Sequence, residues 1–204
     1  MTRTFLHSFA SPALLASLLA GWCLLFPNAG FTEDWDGTCD VTFKGDSTLH
    51  DFEGTVTTKP FTVTISGIDQ PATAAVSSKI TAEAKKMDTD NDKRDEKMYE
   101  TLEVGTYPEI EVEVTNLKAA ETKPVSENGF PRPTIIPFVL KLKGKEHHLT
   151  GKVTDWKHDA DTIDCTVAFV VSLKAADIKP PSVLGLVKVK DEIDVAAHLK
   201  LSKH

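Results

Sequence analysis

Residues 109–114 read Glu-Ile-Glu-Val-Glu-Val, with Ile110, Val112 and Val114 interleaved by Glu109, Glu111 and Glu113. Successive side chains on a β-strand point to opposite faces, so this stretch has one apolar face and one wet face. The same period of two recurs on either side. Upstream it marks Cys39-Val41-Phe43, Phe52-Gly54-Val56, Phe61-Val63-Ile65 and Ala72-Ala74-Val76 with Ile80. Downstream it marks Phe138-Leu140-Leu142, then Leu149 and Val153, the stripe Cys165-Val167-Phe169-Val171-Leu173, and Ile193-Val195-Ala197-Leu199-Leu201. Segments of this kind, punctuated by turn residues, predict about eight strands of an antiparallel sheet.

One segment departs from the alternation. Asp92 to Val104 places Met98, Tyr99 and Leu102 at helical spacing with acidic residues near its start, and Tyr107-Pro108 bounds it. Residues 116–133 are polar, contain three prolines and Asn128-Gly129, and read as a long surface hairpin loop. No repeat or linker divides residues 31–204, which form one β-rich domain with a single helix between strands at about 92–104. Strands with one apolar face each must pair as a sandwich or close as a barrel, and alternation alone does not choose between them.

The chain has 204 residues, 41% hydrophobic and 26% charged, which excludes disorder and low-complexity architectures. Thirty acidic against 23 basic side chains give a net charge of -7, so a phosphate backbone would be repelled and no nucleic-acid partner is expected. Arg3 is the only Arg, Lys, Asp or Glu before Glu33, and Ala13 to Phe26 is almost wholly apolar. That run is shorter than the roughly 20 residues a membrane span needs, and it fits the core of an export signal over residues 1–30. The expected location is therefore periplasmic or secreted, with an uncleaved amino-terminal anchor as the alternative. Cys23 leaves with such a signal, and Cys39 and Cys165 remain as either a disulfide or two buried thiols.

Three short motifs suggest other chemistry and are weaker. Gly45-Asp46-Ser47 with Asp155-Trp156-Lys157-His158 has the form of a GDS-type esterase's nucleophile and partner blocks. Such enzymes need a βαβ rhythm that is missing here. Asp88, Asp90 and Asp92 start like a calcium loop, but Lys93 and Tyr99 stand where Gly and Glu are required. His147 and His148 are strand neighbours that face opposite ways, so they cannot chelate one ion together. No metal, no cofactor and no catalytic residue is expected.

Several ordered segments together resemble the YceI-like family of exported, lipocalin-like barrels. They are Ser47-Thr48-Leu49-His50-Asp51-Phe52-Glu53-Gly54, Met87-Asp88-Thr89, Arg94-Asp95 with Met98, and Tyr107-Pro108-Glu109-Ile110. Residues 136–144 (IPFVLKLKG), Ile178-Lys179-Pro180-Pro181 and Val189-Lys190-Asp191 complete the set. The resemblance covers about residues 36–202, and Leu102-Glu103-Val104 departs from it where a Phe-rich stretch is usual. It implies an eight-stranded antiparallel barrel whose bore holds a long apolar chain, a polyisoprenoid or isoprenoid quinone. The alternatives are a closed, dry interaction or stress-response module and, more remotely, the esterase.

On that basis Phe43, Phe52, Met98, Leu102, Phe138, Leu140, Phe169 and Val171 are the expected lining. Arg94 and Asp95 are candidate mouth groups, with a helix-to-barrel tie as the structural alternative, and His50 shares the strand phase of Phe52. Each buried methylene is worth about 0.8 kcal/mol, so one isoprene unit contributes roughly 3–4 kcal/mol and apolar burial suffices for binding. The expected partners are a long-chain apolar lipid and, transiently, a membrane surface, with the protein a monomer or homodimer.

Overall fold

The computed structural model describes residues 31–48, 50–67, 74–127, 130–180, 182–183 and 187–204. The expected export signal at residues 1–30 lies outside them, as do Leu49 and Pro181 of the motifs above. The elements in chain order are β1 (Thr32–Ser47), β2 (Phe52–Thr57), β3 (Phe61–Ser66), β4 (Ala75–Glu83), α1 (Asp92–Leu102) and β5 (Glu109–Lys118). Then come β6 (Val125–Glu127), β7 (Phe130–Arg132), β8 (Ile135–Leu142), β9 (Lys145–His158), β10 (Thr162–Ser172), β11 (Ser182–Val183) and β12 (Val187–Lys203).

The sheet runs β12-β10-β9-β8-β5-β4-β3-β1, and β1 pairs again with β12, so the ring closes. The result is a closed, eight-stranded antiparallel barrel with one α-helix among the described residues. More alternating segments occur than barrel positions because β2 and β3 share one. Thr32–Gly37 of β1 pairs with β3, while Asp40–Gly45 pairs with β2 on the same edge. Closure removes the unpaired backbone groups an open sheet would expose.

Local chemistry sets the turns and bends. Leu142 pairs with Lys145, leaving Lys143 and Gly144 as a two-residue loop with φ of 51° and 70°. Two left-handed residues make the hairpin turn whose twist matches that of the flanking strands. Asn116 and Asp155, also left-handed, sit where the β4–β5 and β9–β10 registers slip by one residue. The segment read as one long loop instead extends β5 to Lys118 and continues through a 3-10 turn at Ala119–Thr122 into the short β6–β7 hairpin. Helix α1 ends at Leu102, two residues short of the expected bound, because Glu103 adopts the left-handed conformation and the Val104 N–H bonds back to the Tyr99 carbonyl.

The inner wall is layered by register across β1, β12 and β10. Cys39-Leu199-Cys165, Val41-Ala197-Val167, Phe43-Val195-Phe169 and Gly45-Ile193-Val171 form successive rows. Toward the end of the barrel away from α1, Trp35, Cys39, Phe61 and Val63 pack together. Glycines make room for aromatic rings, most plainly at Gly54, where a Cβ would lie 2.2 Å from the Phe43 ring and 2.8 Å from the Asp88 carbonyl oxygen. Gly54→Ala is therefore expected to cost about 1–3 kcal/mol through overpacking. The urea midpoint checks this: an unchanged value would mean that the ring and the Asp88 segment shift freely.

Candidate functional site

Inside the barrel lies a cavity of about 700 Å³. It runs from α1, Ser47, His50 and Phe52 at one end to Thr122, Pro133 and Trp156 at the other. The Val41-Ala197-Val167 row, midway along the bore, presents short side chains to it. Phe138 and Phe169 meet edge to face in the wall, with ring centroids 4.9 Å apart. A buried hydroxyl, Thr58 Oγ1, lines the bore with no hydrogen-bond partner among the described residues.

Helix α1 sits across one end, held by a short chain of polar contacts. Backbone bonds between Thr55 and Asp88 (2.7 and 2.9 Å) pin residues 87–89 to β2. Thr89, 3% exposed, then donates its hydroxyl and N–H to Asp95 Oδ1 at 2.6 and 3.1 Å. Arg94 donates Nε to the Thr89 hydroxyl at 2.8 Å and Nη2 to its carbonyl at 2.6 Å. The Arg94 guanidinium also lies 5.7 Å from the centre of the Phe52 ring, within cation–π range. Tyr99 donates its hydroxyl to the Met87 carbonyl at 2.6 Å, and Asn91 caps the helix by accepting the Arg94 N–H at 3.0 Å.

The structure brings nearly all the expected site residues to one cavity. Phe43, His50, Phe52, Arg94, Met98, Leu102, Phe138, Leu140, Phe169 and Val171 all line it. Asp95 does not. It is buried against Thr89 and borders an open recess on the far side of α1. Its carboxylate accepts both Thr89 donors, which places it as a tie between the helix and the segment before it rather than in the bore. Arg94 both ties the helix and lines the bore. Lys93, Lys97 and Ala197 also line the cavity and stand outside the expected set, since neither a helix lysine nor a small strand residue signals a binding wall by itself.

Of the two alternatives for the remaining cysteines, the structure has the buried thiols. Cys39 and Cys165 are free thiols. Both pair with Leu199 of the intervening β12, so they stand two strands apart, roughly 9–10 Å at normal strand spacing. A bridge needs Cα atoms within about 7 Å. Burial pushes both thiols up, Cys39 to about 12 and Cys165 to about 11, with smaller contributions from the neighbouring carboxylates Asp40 and Asp164 respectively.

The esterase geometry is absent as well. Ser47 lies at the α1 end, its hydroxyl donating to the His50 carbonyl at 2.6 Å. His158 pairs with Ile163, which pairs with Leu201 opposite Gly37, on the order of 30 Å along β1 from Ser47. Among the described residues no group of three His, Cys, Asp or Glu side chains is placed to hold a metal ion. His147 pairs with inward Leu140 and His148 with Val139, so the two face opposite sides, as strand geometry dictates.

A model of the YceI-like domain matches residues 35–201. Three solved structures share the fold. One is BcnA of Burkholderia cenocepacia, 18% identical, with a TM-score of 0.57, covering 79% of this chain and 95% of that one. Another is a polyisoprenoid binding domain from Saccharophagus degradans implicated in plant cell wall breakdown, 13% identical, with a TM-score of 0.52 and coverages of 83% and 98%. The third is a YceI protein of Campylobacter jejuni, 14% identical, with a TM-score of 0.51 and coverages of 77% and 87%. No curated protein matches the sequence.

The buried thiols generate an alkaline instability. An unfolded thiol titrates near 8.5, so from about pH 9 the unfolded chain releases protons that the folded chain keeps. Stability is then fully present below about pH 8.5 and falls as pH rises toward the folded values of about 11 and 12, by roughly 1.4 kcal/mol per pH unit for each thiol. Urea unfolding of wild type and Cys39→Ala between about pH 8 and 10.5 should show wild type losing ground to the variant by that slope. A pH-independent offset between the two would contradict the assignment.

Proposed function

The chain belongs to the YceI-like domain family, and from that membership and its hollow bore we propose that it binds and carries or stores a long apolar lipid. The cargo is a polyisoprenoid or isoprenoid quinone held in the barrel interior, without chemical conversion and outside the cytoplasm. One observation carries the reading: a cavity of about 700 Å³ lies within the barrel, lined along its length by Val, Leu, Ile and Phe. That volume lies within the roughly 300–1,000 Å³ typical of small-molecule sites. A dry interaction module would need side chains to fill that volume.

Physical chemistry supports the same cargo. A wall that is mostly hydrocarbon, with only isolated hydroxyls such as that of Thr58, offers few partners to a polar guest along the bore, and a buried donor or acceptor left unpaired there is costly. An apolar tail loses nothing of the kind and gains about 0.8 kcal/mol per methylene removed from water. Summed over a long tail this approaches the ~18–21 kcal/mol at which non-covalent affinity saturates, so the entropy of ordering the tail must offset much of it. The polyisoprenoid binding domain among the similar structures supports the choice of an isoprenoid tail. The apolar run at residues 13–26 supports export.

Ala197→Trp tests the reading, because it places a large ring in the short-chained middle row and occupies the bore from within. Incubation of the purified protein with geranylgeraniol or menaquinone-4, followed by native mass spectrometry, should show one lipid per wild-type chain. The variant should retain at least tenfold less while unfolding cooperatively. Failure of wild type to take up either lipid would remove the carrier reading.

A further inference from the structure

Helix α1 sorts its charges by face. Asp92, Asp95, Glu96 and Glu100, with Glu103 beyond the helix end, line the open recess on one side. All three basic residues of the helix, Lys93, Arg94 and Lys97, line the cavity on the other. His50 joins them there, and among the described residues lining the cavity there is not one carboxylate. That is a strong bias in a chain with 30 acidic and 23 basic side chains.

Packing does not account for it. A helix covering an apolar mouth needs apolar residues on its inner face, and Met98 and Leu102 supply them. Lys93 and Lys97 are exposed and Arg94 is half-buried, so the three cations stand at the wet rim of the bore, where they keep much of their hydration and a counter-charge can reach them. Among the described residues neither Lys93 nor Arg94 has an ion-pair partner, although the acidic face of the same helix lies one turn away. Lys97 pairs with Glu100 at 2.6 Å, but both side chains are more than half exposed, and such a pair exchanges readily. Arg94 is held in place by Thr89 and Phe52, and those bonds use only part of its donor set.

Resting on the lipid-carrier reading and deepening it, we infer that the mouth recognises an anionic headgroup, a phosphate or carboxylate on a long apolar tail, in preference to a neutral alcohol or quinone on the same tail. The tail enters the bore, and the headgroup stays at the α1 end between Lys93, Arg94 and Lys97. Charge-assisted hydrogen bonds to an anion are the strong ones, and they form only if the headgroup is charged.

Equilibrium binding to the full-length protein, read by tryptophan fluorescence with Trp156 in the cavity wall, tests this with two matched pairs. They are geranylgeranyl phosphate against geranylgeraniol, and palmitate against hexadecanol. In low salt each anion recognised should bind at least tenfold tighter than its alcohol. That ratio should shrink several-fold in ~0.5 M salt, where screening acts over only a few ångströms. In Lys93→Gln/Lys97→Gln the ratio should fall to within about threefold of unity, roughly the loss of one charge-assisted contact. A preference in the first pair alone identifies phosphate, and in the second alone carboxylate. Equal binding of anion and alcohol in both pairs, or a preference that survives both salt and the double substitution, overturns the headgroup assignment while leaving the carrier reading intact. If none of the four ligands binds, both fall together.

Discussion

The pairing of β1 with β12 is the constraint on which the rest of the molecule depends. These strands lie near opposite ends of the described chain, and their ladder from Trp35–Lys203 to Gly45–Ile193 turns a sheet into a ring. Once that register is set, every inward residue on both strands is fixed, because a slip of one would turn the apolar stripe outward. Cys39 then faces Leu199, Val41 faces Ala197, and Phe43 faces Val195. The bore takes its shape from this register. It is long-range order that only the complete ring supplies, so no part of the wall can be understood from one hairpin.

The helix obeys a different logic. Its attachment does not come mainly from a greasy face sunk into a core, because only Met98 and Leu102 offer one toward the bore. It is held instead by hydrogen bonds centred on Thr89, which accepts from Arg94 and donates to Asp95. Neighbouring residues of opposite charge thus share one partner while serving opposite sides of the helix. A mouth element fixed by a few polar bonds can open locally at far lower cost than a strand in the closed ring. In the proposed complex this is the natural place for a lipid to enter.

Much of this was legible in the sequence, and the reasons are physical. Period-two alternation survives in the amino-acid order because each strand keeps one face inside, and the apolar halves of those patterns became the cavity wall. Alternation could not show that the ring closes, since a sandwich would carry the same stripes; closure depends on the β1–β12 pairing between remote segments. Nor could it show that β2 and β3 occupy a single position. Cys39 and Cys165 are an even pair on inward stripes, and only the register reveals Leu199 standing between them. Asp95 and Arg94 were adjacent letters with one assumed role; the helical turn separates them by about 100° of rotation and gives each its own side. Lys93 and Lys97 line the cavity although their helix neighbours Asp92, Glu96 and Glu100 border the recess, a division that the order of letters does not display.

Tail and headgroup divide the recognition problem in a way that the wall composition makes explicit. Burial of hydrocarbon is non-directional and grows with length, so a bore of Val, Leu and Ile gives affinity to any slender chain and distinguishes poorly among them. Charge at the mouth is the converse: it adds less than the tail does, but it separates ligands that the bore cannot tell apart. Placing the two at different ends of one path also separates their kinetics. Cations at an aqueous rim attract an anion before the tail is desolvated, and salt weakens that attraction without touching the bore. Release would then begin at the rim, where a competing anion or an acidic membrane surface can displace the headgroup while the tail is still covered.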